Sequence, residues 1–168
     1  IAYDAKGLVE PYRSRLAQVL KQVRRQADLV MVSAHVGPNW GPPSVAMQAL
    51  AHQIIDLGAD LYWGHSNHTA QGIELYKGKA ILYSTGDFID DYAVDPDERN
   101  DLSFLIILEL ERGSIARIVL HPVCIEDFYV RLAKDQEIAF LQRTMQAKCK
   151  AFGTIMELEG QVGTISVK

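Results

Sequence analysis

The chain has 168 residues, 48% hydrophobic and 23% charged, with 17 Lys and Arg against 21 Asp and Glu and a formal net charge of −4. That length suits one domain able to bury about two-thirds of the surface its unfolded form exposes, and the composition excludes a disordered or fibrous protein. The acidic balance leaves no overall positive field to draw nucleic acid or an anionic membrane, and no apolar run approaches the ~20 residues that cross a bilayer.

In chain order, Pro11 to Gln26 predicts a first helix, with Tyr12, Leu16, Val19, Leu20 and Val23 at helical spacing and Pro11 in its first turn. Arg13, Arg15, Lys21, Arg24 and Arg25 on this segment read as a solvated face. Asp28 to Ala34 is short and apolar on both faces, which predicts a buried strand delivering His35 to its C-terminal edge. Ser44 is placed to cap a second helix that runs to Leu57 and stops at Gly58. Leu61-Tyr62-Trp63 is a second apolar strand, also ending in histidines, so strand, helix and strand form a parallel crossover with its ligands at one edge.

Beyond His68 the texture is antiparallel. Gly72 to Tyr76 and Lys79 to Ser84 flank a turn at Lys77-Gly78, and Leu102 to Glu111 and Ser114 to Val123 flank another at Arg112-Gly113. Asp135 to Phe152 has the spacing of a third amphipathic helix, and Thr154 to Val167 reads as a closing hairpin turned at Glu159-Gly160. No repeat or linker divides the chain, so residues 1–168 are expected to form a single domain. The chain begins at Ile1 rather than Met, which reads as a processed product or a piece of something longer.

The chemistry concentrates in Gly64-His65-Ser66-Asn67-His68 and in Ser33-Ala34-His35-Val36-Gly37. Imidazole is the commonest metal ligand, and three rings at the ends of neighbouring strands can converge on one ion. His35, His65 and His68 are therefore the expected metal ligands, whereas His52, inside a helix, and His121, before Pro122, read as structural. Cys124 and Cys149 are too few and too far apart for a thiolate site or disulfide framework and read as packing residues. Asp87, Asp90, Asp91, Asp95, Asp97, Glu98 and Asp101 form an acidic run that reads as a solvated loop.

These motifs, with Gly58-Ala59-Asp60-Leu61, Gln71-Gly72-Ile73-Glu74, Tyr76-Lys77-Gly78-Lys79 and Tyr83-Ser84-Thr85-Gly86-Asp87-Phe88, resemble the bacterial CapA family of capsule or poly-γ-glutamate synthesis proteins, related to the calcineurin-like metallophosphoesterases. The resemblance runs from about Leu8 to Val123 and is strongest from Gly58 to Phe88. It implies an α/β fold, here the C-terminal half of a metallophosphoesterase sandwich with a mixed sheet and flanking helices. It also implies a two-metal site with Zn, Mn or Fe as possible divalent ions, to which His35, His65 and His68 contribute. Asn39, Asn67 and Asp87 stand beside these ligands as candidates for substrate contact. Asp87 reads as an added acceptor or, preferably, a turn residue.

Two departures matter. Val36 stands where the family usually has Trp, and Asn39 stands near its acidic position. No segment from Ile1 to Asp28 resembles the early Asp-rich and Asn-His motifs of the superfamily, so the expected partner is an upstream half of the same domain, and capsule synthase subunits are a further expected partner. Without bridging carboxylates a binuclear pair is electrostatically poor, so weak or no catalysis is expected from this chain alone. Two other readings stay open: a non-catalytic subunit assisting assembly or export of an anionic capsule polymer, and a mononuclear hydrolase with Glu74 or Asp87 as base. Localisation stays open between the cytoplasm and a surface anchor at an upstream segment.

Overall fold

A computed structural model describes residues 2–89 and 93–167. The chain opens with a small hairpin of β1 (Tyr3–Asp4) and β2 (Gly7–Leu8), followed by α1 (Tyr12–Val23) with Pro11 at its N-cap. β3 (Met31–His35), α2 (Val45–Asp56) and β4 (Leu61–His65) form the expected crossover, with β3 and β4 parallel and paired Met31 to Leu61 through His35 to His65. The Ser44 side chain accepts the Met47 N–H and so caps α2, as the sequence predicts. β5 (Ile73–Tyr76) and β6 (Lys79–Leu82) make an antiparallel hairpin, completing a four-stranded sheet in the order β3-β4-β6-β5.

A second, antiparallel sheet holds β7 (Leu102–Glu111), β8 (Ser114–Glu126), β9 (Tyr129–Leu132), β10 (Glu157–Glu159) and β11 (Val162–Ser166). β8 is long enough to pair with β11 through its first half and with β9 through its second. The β8–β9 turn is not legible in the sequence, because Asp127 and Phe128 adopt positive φ (50° and 67°) without a glycine between them. Before it in the chain, Arg112-Gly113 turns as expected. α3 (Asp135–Lys150) follows β9.

Strand alternation divides the interior into two cores. Leu61, Ala80 and Leu82 face the second sheet, whose Phe104, Ile118 and Leu120 meet them together with Ile138, Leu141 and Met145 of α3. Tyr62, Ile81 and Tyr83 face the opposite way, against Leu50, Ala51, Ile54 and Ile55 of α2. The architecture is thus a mixed α/β arrangement of sheets flanked by helices, as expected. Among the described residues no helix is long and apolar enough to cross a membrane.

One strand expectation is corrected. β3 is not buried on both faces: it is the edge of its sheet, Met31 is 51% exposed, and Ser33 and His35 are exposed beside it. The apolar run is real, but the described residues supply neither a neighbour at the outer edge of β3 nor a layer over its inner face.

Candidate functional site

Parallel pairing places His35 directly opposite His65, so both rings leave the same face at the C-terminal ends of their strands. By two-residue alternation from Leu61 and Trp63, that face looks toward the second sheet. The two Nδ1 atoms are 3.2 Å apart, with ring centroids 5.2 Å apart and planes at 64°. The Nε2 of His65 lies 3.0 Å from Ser33 Oγ, on the same strand face two residues before His35. Gly64 permits this geometry: a Cβ there would fall 2.2 Å from the Tyr83 carbonyl oxygen.

His68 is held differently. Its Nδ1 lies 2.8 and 3.1 Å from the two Asp87 carboxylate oxygens, and its ring packs 5.2 Å from Trp40. Its backbone N–H donates to the Asn39 carbonyl, while its own carbonyl accepts the Asp87 N–H. A carboxylate facing Nδ1 orients the imidazole ring. Asp87 is therefore an acceptor for this histidine, which replaces the turn role preferred from sequence.

The loop between the two histidines is built as a hub. Asn67 is 5% exposed; its Nδ2 donates to the Gly41 carbonyl, and its Oδ1 accepts from the Thr69 N–H, Thr69 Oγ1 and Gln71 Nε2. Ser66 adopts φ 132° and donates its hydroxyl to the Gly37 carbonyl. Ser84 Oγ donates to the Asn67 carbonyl and so ties the loop to the Thr85-Gly86-Asp87 segment. Of the three residues considered for substrate contact, Asn67 thus spends its amide inside the loop, Asp87 faces His68, and Asn39 is exposed at the rim.

Glu74 lies elsewhere. Ile73 and Leu75 face the inter-sheet core, so Glu74 projects to the opposite face of the sheet from His35 and His65. There it meets His52 Nε2 at 2.9 and 3.0 Å and accepts the Tyr83 hydroxyl, while His52 stacks on Tyr76 at 4.0 Å. Burial first, and Glu74 second, push the Tyr83 hydroxyl pKa well up. Glu74 therefore cannot serve as a base beside His35 and His65, and His52 is engaged by Glu74 and Tyr76. Of the acidic run, Asp95 accepts the Asp97 and Glu98 N–H groups and Asp101 pairs with Arg99; Asp90 and Asp91 lie outside the described residues.

Among the described residues, no group of three or more His, Cys, Asp or Glu side chains stands ready to hold a metal ion. Two of the three expected imidazoles meet, and the third is turned to a carboxylate. The pair nevertheless fits a metal: two nitrogens bound to one ion at ~2.0–2.1 Å with tetrahedral angles stand about 3.3 Å apart. Ser33 and Trp40 were not singled out from sequence, although Ser33 shares the two-residue face of His35 and was legible on that ground.

The protein is, by fold and site, an α/β protein carrying a histidine cluster at the C-terminal edge of a parallel strand pair. It belongs to the family described as bacterial capsule synthesis protein PGA_cap, whose sequence model matches residues 1–92. It is 34% identical over 143 residues to a probable polyglutamine synthesis accessory protein of Mycobacterium tuberculosis, covering 82% of this chain and 37% of that protein. It is 30% identical over 110 residues to the PGA biosynthesis protein CapA of Bacillus subtilis, covering 65% of this chain and 28% of that protein. The capsule biosynthesis protein CapA of Bacillus anthracis is 38% identical over 81 residues, 44% of this chain and 20% of its own length. The chain thus spans well under half the length of these relatives.

Proposed function

We propose that this chain supplies the histidine part of a divalent-metal, phosphoesterase-like centre in a larger protein of capsule or poly-γ-glutamate synthesis. The observation that carries this reading is the 3.2 Å separation of the His35 and His65 Nδ1 atoms. His35 and His65 are the direct ligands in this reading. His68 is oriented by Asp87 beside them, and Ser33 steadies the far nitrogen of His65. Asn39 stands at the open rim for substrate. A divalent ion of the Zn, Mn or Fe kind, when bound, polarises a phosphoester and lowers the pKa of bound water towards ~7.

The carboxylates such a centre needs come, in this reading, from the rest of the longer protein. His35 lies on the edge strand, and an added neighbour would run about 4.8 Å away, close enough to bring its own C-terminal residues beside the ring. Both edge strands carry exposed apolar residues, Met31 on β3 and Leu105 and Ile107 on β7. Covering them is the role assigned to the upstream half of the domain, and capsule synthase subunits are proposed as partners of the whole.

The absence of a ready three-ligand group among the described residues favours a second reading, a non-catalytic accessory subunit in polymer assembly or export. Equilibrium dialysis of the full-length protein against Zn, Mn and Co, together with turnover of bis(p-nitrophenyl) phosphate, separates the two. Stoichiometric binding with turnover, both lost in His65→Ala, supports the enzyme. Absence of stoichiometric metal, or turnover indifferent to His65→Ala and His68→Ala, removes it.

A further inference from the structure

The C-terminal end of α3 and the turn after it lie against the segment that follows the two-histidine loop, 78 residues away in sequence at the Lys148–Ala70 contact. Lys148 Nζ donates to the Ala70 carbonyl at 2.7 Å. Cys149 Sγ, fully buried, accepts the Ile73 N–H at 3.4 Å, and Thr154 Oγ1 accepts the Leu75 N–H at 3.2 Å. Gly72 lies so close beneath that a Cβ would stand 2.4 Å from the Lys148 carbonyl oxygen. Two groups from the helix end and one from the turn after it therefore hold the backbone at Ala70, Ile73 and Leu75.

The other side of this segment faces the site. Ala70 bridges Thr85, a Cβ on Gly86 would fall 2.7 Å from the Ala70 nitrogen, and the Asp87 N–H donates to the His68 carbonyl. The stretch after His68 thus lies between the Thr85-Gly86-Asp87 segment and the end of α3. Lys148 reaches its acceptor past a cavity of about 50 Å³ that Thr69, Glu98 and Thr144 also line. Burial lowers the Lys148 pKa from the ordinary lysine value, while Glu98 works to raise it. The half-buried Lys148 side chain thus makes its 2.7 Å hydrogen bond to a main-chain carbonyl, with Glu98 lining the same cavity.

We infer that the C-terminal end of α3 is a positioning device for the histidine loop, with Lys148 as its positioning residue acting through the Ala70 carbonyl on His68. α3 lies outside residues 1–92, which the family model matches. This inference rests on the metal-centre reading for its consequence in binding, but not for its structural content.

The test uses the full-length protein, Lys148→Met to remove the donor while keeping the stem, and Arg143→Ala on the exposed side of α3 as a control. Hydrogen exchange is followed without metal, and Co and Zn affinities by titration. Lys148→Met is expected to speed exchange across residues 67–75 by about tenfold while that of β7 and β8 is unchanged, and to weaken metal binding by about tenfold. Arg143→Ala is expected to do neither. Exchange in Lys148→Met that is unchanged at 67–75, or raised equally everywhere, overturns the inference. If wild type binds no metal, the metal-centre reading falls while the exchange pattern still decides the brace. Should Lys148→Met fail to fold, Thr154→Val, at the far end of the same contact, is read by the same local exchange at Leu75.

Discussion

His35 and His65 occupy paired positions on parallel strands and bring their Nδ1 atoms to 3.2 Å. Two imidazoles at that distance share one N–H between them or, in the reading proposed above, bind a common ion. Replacing either ring by alanine in the full-length protein is expected to weaken divalent-metal affinity by about 100-fold or more, above the ~10–100-fold that outer partners cost. Isothermal titration with Zn or Co reads this directly; affinities that stay at the wild-type value refute it.

Asp87 acts on His68 from behind. Asp87→Asn keeps the shape but weakens the acceptor, so metal affinity is expected to fall by about 10–100-fold. The unfolding midpoint should move by no more than about 4 °C, the shift that ~1 kcal/mol produces in a protein of this size or larger. A large loss of melting temperature with unaltered metal binding would show instead that the pair serves the fold.

The opposite face of the sheet carries a polar cluster of His52, Glu74 and Tyr83. Tyr83→Phe removes the hydroxyl that Glu74 accepts and leaves a half-buried carboxylate with His52 alone. Urea denaturation is expected to show a loss of about 1–3 kcal/mol. Metal affinity should not change, because His35 and His65 project from the other side.

Acid stability depends in part on Glu137. Its pairing with Arg131, helped by the Lys134 N–H, lowers the Glu137 pKa from 4.5 to about 2. A carboxylate whose pKa falls on folding contributes stability that is full above its unfolded value and lost as pH drops through its folded value. That contribution therefore disappears between about pH 5 and pH 2. Glu137→Gln is expected to be less stable at pH 7 and to have a flatter stability curve across that window, measured by urea midpoints at each pH.

Much of the local architecture was legible. Ser44 and Gly58 bracket α2, Lys77-Gly78 and Arg112-Gly113 turn their hairpins, and α3 ends within two residues of its apolar stripe. The resemblance of the Gly58 to Phe88 motifs was equally visible. The site was legible only as a set of residues. From sequence Asp87 reads as an acceptor or, preferably, a turn residue, and the fold sets it against His68; Glu74 reads as a possible base, and the fold turns it to the other face.

The residues alone determined where most helices, strands and turns form and which imidazoles reach strand ends, because capping, alternation and turn chemistry act over a few neighbouring positions. The tertiary structure alone decided that β3 is an edge, that His68 turns to a carboxylate 19 residues on, and that Lys148 reaches Ala70. Those outcomes depend on sheet order and on which layers meet. A short apolar run reads the same whether its flank is covered or open, and no local period specifies a partner dozens of residues away.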